Sequence, residues 1–473
     1  NQHAQSISEL NDAISYAQAL STDGAQPNDL LDERDRVLLQ LSKLVSVNVI
    51  EQDGGVANVL IGNGQPLVIG GVAEKITMGI GEFDPLIQRL TYERANGTST
   101  DITNYLTGGA VQGLIDFRDN MLNSSRQQLG LLATGMSEVI NAQHGLGVDL
   151  QGKLGGEFFV PFDAETIKNI DNTGSASSTT KIVDISLVQP TDYKATFTGG
   201  AWEVKNIKSG EITVGNGLMA IDGLEIEFSG DAEFGDSFLI RPNFRAANYF
   251  EVALQAPADI AAASPLKFSE SLSNTGTAEV DSLVVNSRSD LPLDNSFTLT
   301  FDASGGVDGV PGYVVTGGPG GFLPFDPETE FAGKTFQLDS GFGDAEIRLS
   351  GKPENGDVMT IERNTEGTGD NRNLLALIDI QTKDTLLGSS TSLQDVFALS
   401  IADVGIRTRQ SQLSLETQEV LTGQAENAYK AKSAVNLDEE AANLLRYQQA
   451  YSAAAKVITV ADEMFNILLS TFR

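Results

Sequence analysis

Apolar residues recur at helical spacing toward both ends of the chain and at every second position through its middle. Between Ser6 and Val45, Ile7, Leu10 and Ile14, then Leu30, Leu31, Val37, Leu38, Leu41 and Leu44, fall three or four apart, interrupted by the turn-forming Asp23-Gly24 and Pro27-Asn28. This pattern predicts two helices. From Val47 the period drops to two: Val47 and Val49, then Val59 and Ile61, flank Asp53-Gly54-Gly55, the composition of a hairpin, in a β excursion that ends near Gly81. Helical spacing returns from Thr103 to His144 through Val111, Leu114, Met121, Leu129, Met136 and Ile140, which predicts a helix pair or one long helix stopped at Gly145 and Gly147.

Beyond Gly155-Gly156 and up to about Gly369, Thr, Val, Ile and Phe alternate with polar residues, and Gly, Asp, Asn and Pro punctuate them every few positions, an all-β texture. A repeat lies inside it. Glu225 to Gly230 followed by Gly235-Asp236 matches Glu346 to Gly351 followed by Gly356-Asp357, and both parts are offset by 121 (350 − 229 and 357 − 236). The constant offset predicts two β modules of similar plan in tandem, each with a strand, a Gly-Asp turn and a second strand.

After Gly388 to Ser392 the chain turns helical again through Val396, Phe397, Ile401 and Val404, runs on as a polar helix to about Ala434, and restarts at Asn436. Asn436 with Glu439 reads as a capping box, and Asp438, Glu439 and Glu440 suit the positive end of the helix dipole. Leu444, Tyr447, Tyr451, Ala454, Ile458, Ala461, Phe465 and Leu468 then alternate in steps of three and four, the coiled-coil period. A helix from Leu437 to Phe472 spans on the order of 54 Å at about 1.5 Å per residue, too long for a small domain of its own to cover. The seam calls for partner helices. Val457, Met464, Ile467 and Leu469 widen it beyond the needs of a two-stranded zipper.

At 473 residues the chain is long enough for roughly three domains. Its 64 acidic against 31 basic side chains give a net charge of −33, which disfavours nucleic acid and anionic membrane surfaces as partners. The absence of cysteine removes disulfides and thiolate chemistry, and with only His3 and His144 as imidazoles neither a multi-histidine metal site nor a His-based triad is expected. No stretch approaches the roughly 18 apolar residues of a membrane span, and Asn1 to Leu10 lacks the basic and apolar regions of a signal peptide.

The local motifs carry little chemistry. Gly333-Lys334-Thr335 resembles the end of a phosphate loop, but Glu328 stands where the first glycine belongs. Gly317-Gly318-Pro319-Gly320-Gly321 lacks the strand and helix context of a dinucleotide site. The acidic runs Asp231 to Asp236 and Asp302 to Asp308 do not follow the alternating calcium loop and read as solvated turns. His144, in Asn141-Ala142-Gln143-His144-Gly145, reads as a helix-end residue satisfying terminal carbonyls. No catalytic, cofactor or metal residues are assigned.

The run Asn436-Leu437-Asp438-Glu439-Glu440-Ala441-Ala442-Asn443-Leu444-Leu445-Arg446-Tyr447-Gln448-Gln449-Ala450-Tyr451 closely resembles the C-terminus of the flagellar axial proteins. Other stretches resemble the hook-associated protein 1 family specifically: Asn28 to Asp35, Gly113 to Asp119, Asn141 to Gly145 followed by Gly155-Gly156-Glu157-Phe158-Phe159, Gly235 to Pro242, and Gly369 to Asn373. That resemblance implies a structural protein of the junction between bacterial hook and filament, exported unfolded through the flagellar channel and resident outside the cell. The partners it implies are further copies in a ring, the hook protein, the second hook-associated junction protein, and an export chaperone that holds the apolar seam before secretion. Family members also begin with a long helix and a Thr-Pro-Gly-Tyr turn, which are not found ahead of Asn1; the resemblance pairs that helix with the C-terminal one.

The expectation is an α+β multidomain protein, a long helical-bundle rod from both chain ends with two inserted all-β modules. Residues 1–156 are expected as a helical segment with a hairpin near 47–81, 157–270 and 271–368 as the β modules, 369–434 as return helices and 435–473 as the coiled-coil helix. An adhesin or glycan-binding protein with β modules on a stalk, and a glycoside hydrolase with its acids in the β-rich middle, are the other function classes; neither accounts for the seam.

Overall fold

The chain opens with two helices, α1 (Gln2–Leu20) and α2 (Asn28–Leu44), laid on a four-stranded antiparallel sheet of β1 (Val47–Glu51), β2 (Ala57–Ile61), β3 (Gln65–Ile69) and β4 (Val72–Ala73). The computed structural model describes the chain apart from residues 21–25, 86, 94–98, 290, 308, 319, 339–343, 434–436, 472 and 473, and backbone alone at 305–307, 432, 433 and 437. The Asp23-Gly24 turn, Asp308, Pro319, Ala434, the Asn436 cap and Phe472 therefore lie outside the described residues. The hairpin register sets Val47 opposite Ile61 and Val49 opposite Val59. Alternation then buries Ala57, Val59 and Ile61 on one face, in a core that includes Ile7, Val37 and Leu41.

Two buried polar residues hold the helices in register with this sheet. Asn11 donates to the carbonyls of Ala57 and Gly70, both at 2.8 Å, and accepts from the Ala57 N–H at 3.0 Å. Arg34 donates to Asn11 at 3.3 Å and to the Gly55 carbonyl. Both side chains are buried, so removing either leaves unpaired groups inside.

The β excursion continues past Gly81. β5 (Lys75–Ile80), β6 (Gln88–Glu93) and β7 (Ser99–Asp101) form a second antiparallel sheet, with Ile80 opposite Gln88 and Tyr92 opposite Thr100. Ile76, Met78 and Ile80 alternate with Thr77 and Gly79, the period-two signal of β5, whereas β6 and β7 lie beyond it. Then α3 (Gly109–Asp116), a π-helical turn (Phe117–Leu122) and α4 (Asn123–His144) run on as one helical stretch, the single long helix among the sequence alternatives.

Module 1 comprises β8 (Glu165–Lys168), β9 (Ser177–Ile182), β10 (Tyr193–Phe197), β11 (Trp202–Asn206), β12 (Ile212–Gly215), β13 (Leu218–Ile221), β14 (Leu224–Ser229) and β15 (Ser237–Arg241). Module 2 comprises β16 (Leu266–Glu270), β17 (Glu279–Val285), β18 (Phe297–Val307), β19 (Val310–Thr316), β20 (Gly321–Pro324), β21 (Lys334–Leu338), β22 (Ala345–Ser350) and β23 (Val358–Arg363). Their sheets have the same order strand for strand: β12-β11-β10-β15-β8 with β13-β14-β9 in the first, and β20-β19-β18-β23-β16 with β21-β22-β17 in the second. Trp202 stacks on Phe228 at 4.3 Å in one core, and Phe301 meets Tyr313 edge-on at 5.3 Å in the other.

The repeated Gly-Asp turns do the same work in both modules. Asp236 accepts backbone N–H bonds from Thr173 (2.9 Å), Gly174 (3.1 Å) and Glu233 (3.0 Å). Asp357 accepts them from Thr275 (2.9 Å), Gly276 (3.0 Å) and Glu354 (2.8 Å). Asn172 exchanges two bonds with the Ser237 backbone, and Asn274 two with Val358. A Cβ at Gly174 or Gly276 would stand 2.3 Å from the paired carboxylate, so only glycine fits between them. The second half of this device, Asn172-Thr173-Gly174 and Asn274-Thr275-Gly276, is offset by 102 rather than 121 (274 − 172 against 357 − 236), so 19 residues more separate the two halves in module 2. Longer strands take up some of them: β18 has 11 residues where β10 has 5.

The Gly333-Lys334-Thr335 tripeptide lies at the start of a strand, where Lys334 pairs with Glu330 at 2.7 Å. His144 does not cap helix carbonyls as expected. Its Nδ1–H donates to the Gly156 carbonyl and its Nε2 accepts the Ala261 N–H, both at 2.8 Å, because the chain folds back twice over the end of α4. Gly147 is the close approach that permits this, since a Cβ there would lie 2.1 Å from Asn373 Nδ2 and 2.5 Å from the Ala261 carbonyl.

Past module 2 come α5 (Arg372–Asp379), the short strands β24 (Asp384–Leu386) and β25 (Thr391–Ser392), α6 (Leu393–Ser433) and α7 (Leu437–Thr471). Ser392 caps α6 by accepting the Asp395 N–H at 3.1 Å while Asp395 reaches back to Ser392, a capping box. Leu393 and Val396 pack with Leu132, Met136 and Ile140 of α4. The chain divides into two units, 1–402 and 403–473.

Candidate assembly interface

Every member of the sequence-derived seam lies on α7, a helix of 35 residues, about 52 Å at 1.5 Å per residue. Asp438, Glu439 and Glu440 occupy its first turn, complementing the helix dipole. Leu444, Tyr447, Tyr451, Ile458, Phe465 and Leu468 are all exposed, from 57 % at Leu468 to 78 % at Tyr451, and Ala454 and Ala461 are exposed between them. Thr459 turns its hydroxyl back onto the Ala455 carbonyl at 3.0 Å, and Thr471 onto Ile467 at 2.8 Å. These polar groups are satisfied within the helix and ask for no partner.

Burying one large apolar side chain is worth about 1.5–3 kcal/mol, so covering six of them is worth on the order of 10 kcal/mol. Apolar surface of this size outside a core is of the kind found at protein–protein contacts, membrane-binding faces and ligand grooves. The apolar surface is wider than the seam, because Leu445 and Val460 are exposed beside Val457, Met464, Ile467 and Leu469. Neither Leu445 nor Val460 follows the three-four rhythm; each sits next to a seam residue, and the signal that finds them is local density of apolar residues rather than period. Within 403–431 the polar character expected of α6 is present as mostly exposed surface with helical ion pairs, Arg407 to Asp403 at 2.9 Å and Lys430 to Glu426 at 3.8 Å. Leu413, Leu415, Val420 and Leu421 are exposed among them.

Among the described residues no group of three or more His, Asp or Glu is placed to hold a metal ion, and no helix is long and apolar enough to cross a membrane. Buried titratable groups serve the fold. The Tyr193 hydroxyl donates to Asp222 at 2.6 Å, and burial followed by that carboxylate raises its pKa. Burial also raises Asp192, against the lowering effect of the nearby Arg241 guanidinium.

Residues 1–159 match the family described as the flagellar hook-associated protein FlgK helical domain, residues 167–242 the flagellar hook-associated protein 1 D2-like domain, and residues 428–471, which include α7, the flagellar basal body rod FlgEFG protein C-terminal family. Flagellar hook-associated protein 1 of Salmonella typhimurium is 30 % identical over 476 residues, covering 99 % of this chain and 69 % of that protein. Its Escherichia coli counterpart is 29 % identical over 477 residues with the same coverage. Among solved structures, the flagellar hook junction protein FlgK from Burkholderia pseudomallei aligns with a TM-score of 0.81 at 28 % identity, over 92 % of this chain and 82 % of that one. With the fold, the repeated modules and the terminal helix all matched in these ways, the chain belongs to the flagellar hook-associated protein 1 family.

Proposed function

We propose that this protein assembles into a ring at the junction of the bacterial hook and filament, its copies joined through α7. The single observation that carries this reading is the exposed seam from Leu444 to Leu468, set on a helix too long to be covered by a small domain of its own. Tyr447, Tyr451 and Phe465 fill wide gaps between neighbouring helices, while Ala454 and Ala461 allow close backbone approach. The ring meets the hook protein on one side and the second hook-associated protein on the other, and the β modules face outward. The protein leaves the cell unfolded through the flagellar export apparatus, with an export chaperone shielding the seam until then. Its role is mechanical, without catalysis.

The test is complementation of a strain deleted for the gene. Ile458→Asp is expected to leave hooks without filaments and to shed filament protein into the medium, while circular dichroism of the purified variant keeps its β signal. Normal filaments on the variant would overturn the proposal.

A further inference from the structure

Outside both modules, two short segments form a ribbon at the end of α4. Phe159 pairs antiparallel with Val252, the Val160 N–H donates to the Glu251 carbonyl, and the Ala253 N–H donates to the Phe158 carbonyl, both at 2.9 Å. Asn141 of α4 fixes the ribbon: its Oδ1 accepts the Phe158 and Phe159 N–H groups at 2.9 and 2.8 Å, and its Nδ2 donates to the Phe159 carbonyl at 2.9 Å. Phe159 is buried and stacks on Phe250 at 4.4 Å, so the scaffold is rigid. Val160, Tyr249, Phe250 and Val252 nevertheless stand in solvent, Tyr249 at 62 % exposure and Val252 at 52 %.

Three carboxylates belong to the same place. Glu157 precedes Phe158, Asp163 follows Val160 by three residues, and Glu138 lies one helical turn before Asn141 on α4. Burial raises the Glu138 carboxyl, and the charges of Glu157 and Asp163 raise it further. Among the described residues none of the three is held in an ion pair. The fold thus keeps partly exposed apolar residues beside negative charges that repel one another.

We propose that this ribbon is a docking surface for a cationic apolar segment of another protein, one in which lysine or arginine alternates with aliphatic or aromatic residues. Apolar side chains of the segment cover Tyr249, Phe250 and Val252, and its cations relieve the repulsion among Glu138, Glu157 and Asp163. A second copy of this chain is the poorer occupant, because it brings the same carboxylates against themselves on a molecule of net charge −33.

The experiment measures binding of a labelled ten-residue peptide alternating lysine with valine and phenylalanine to the full chain, by fluorescence anisotropy at physiological salt, beside the same peptide with glutamine for lysine. At least tenfold tighter binding of the lysine peptide is expected. Tyr249→Ser with Val252→Thr, both at exposed positions, is expected to weaken it at least fivefold, as is Glu138→Gln with Glu157→Gln. The control pair Glu225→Gln with Glu227→Gln, remote in module 1, is expected to change it less than twofold. Equal losses in the control and ribbon variants would mean diffuse attraction to an acidic protein and would overturn the proposal, as would equal binding of the two peptides. Sedimentation showing self-association that Val252→Lys abolishes would also overturn it, by making a second copy the occupant.

Discussion

The backbone N–H of Ala261 donates to Nε2 of His144, 2.8 Å away and 117 residues earlier in the chain. Because Nδ1 of the same ring meets the Gly156 carbonyl, the imidazole is neutral with its proton on Nδ1, and one side chain joins the end of α4, the loop after it and the segment between the two modules. Asn373 completes the junction by donating to the Ala261 carbonyl at 2.6 Å and accepting from Gln143 at 2.7 Å.

His144→Ala strands the buried Ala261 N–H and removes the donor to the Gly156 carbonyl, which lies on an exposed residue. It is expected to lower stability by about 1–3 kcal/mol, the cost of one buried unsatisfied group. Urea unfolding followed by far-ultraviolet circular dichroism measures this. A change below about 0.5 kcal/mol, the scale of an ordinary surface substitution, would mean that the junction does not depend on the ring.

The duplicated turns offer a matched pair of substitutions. Asp236→Ala and Asp357→Ala each orphan the backbone donors of one module and are each expected to cost about 1–3 kcal/mol. Trp202, the sole tryptophan, is in the core of module 1, so its fluorescence reports Asp236→Ala more directly than Asp357→Ala. The Asp236 case has a pH signature. Burial raises this carboxyl, but the N–H groups of Glu233, Thr173 and Gly174 with Lys168 bring it net below its ordinary value of 3.8. A lowered native pKa means the stabilisation is complete above 3.8 and is lost as the pH falls through the native value. The difference between wild type and variant should therefore shrink only in strong acid.

Glu138 has the opposite sign. Its native pKa is raised above 4.5, so the folded state binds the proton more tightly than the unfolded state, and stability rises as the pH is lowered from neutrality through the native value toward 4.5. Glu138→Gln is expected to stabilise by up to about 1 kcal/mol at neutral pH and to abolish that rise. Thermal melts between pH 4.5 and 7.5 give the comparison. A variant less stable than wild type at neutral pH would show that the carboxylate is compensated in the fold.

Much of this was legible in the sequence where one physical signal ruled. The helix α7 and the hairpin at Val47 to Ile61 follow directly from period. The Gly235-Asp236 and Gly356-Asp357 pair reveals a duplication because turns constrain residue type, yet the matching Asn172-Thr173-Gly174 and Asn274-Thr275-Gly276 turns do not align with it, because their offset differs from that of the aspartates their N–H groups bind. The strands beyond Gly81 carry only a short apolar alternation, Leu90 and Tyr92, and Ser99-Thr100-Asp101 carries none, so period stops near Gly81. The role of His144 was not legible at all, since Ala261 and Gly156 contribute only backbone and leave no trace in residue identity. The ribbon at Val160 and Val252 escaped for a similar reason: its two strands pair through one bridge between distant segments.

Absence of cysteine makes the central claim directly measurable, because a single introduced thiol has no competitor. Ile458→Cys, on the seam, and Lys456→Cys, two residues away and off it, can each be incorporated into flagella and treated with a short thiol-specific bifunctional cross-linker. If copies of α7 cover one another, Ile458→Cys gives a cross-linked species of twice the chain's mass and Lys456→Cys gives markedly less. Flagella that assemble normally with no such species from Ile458→Cys, or with equal yields from both positions, would contradict it.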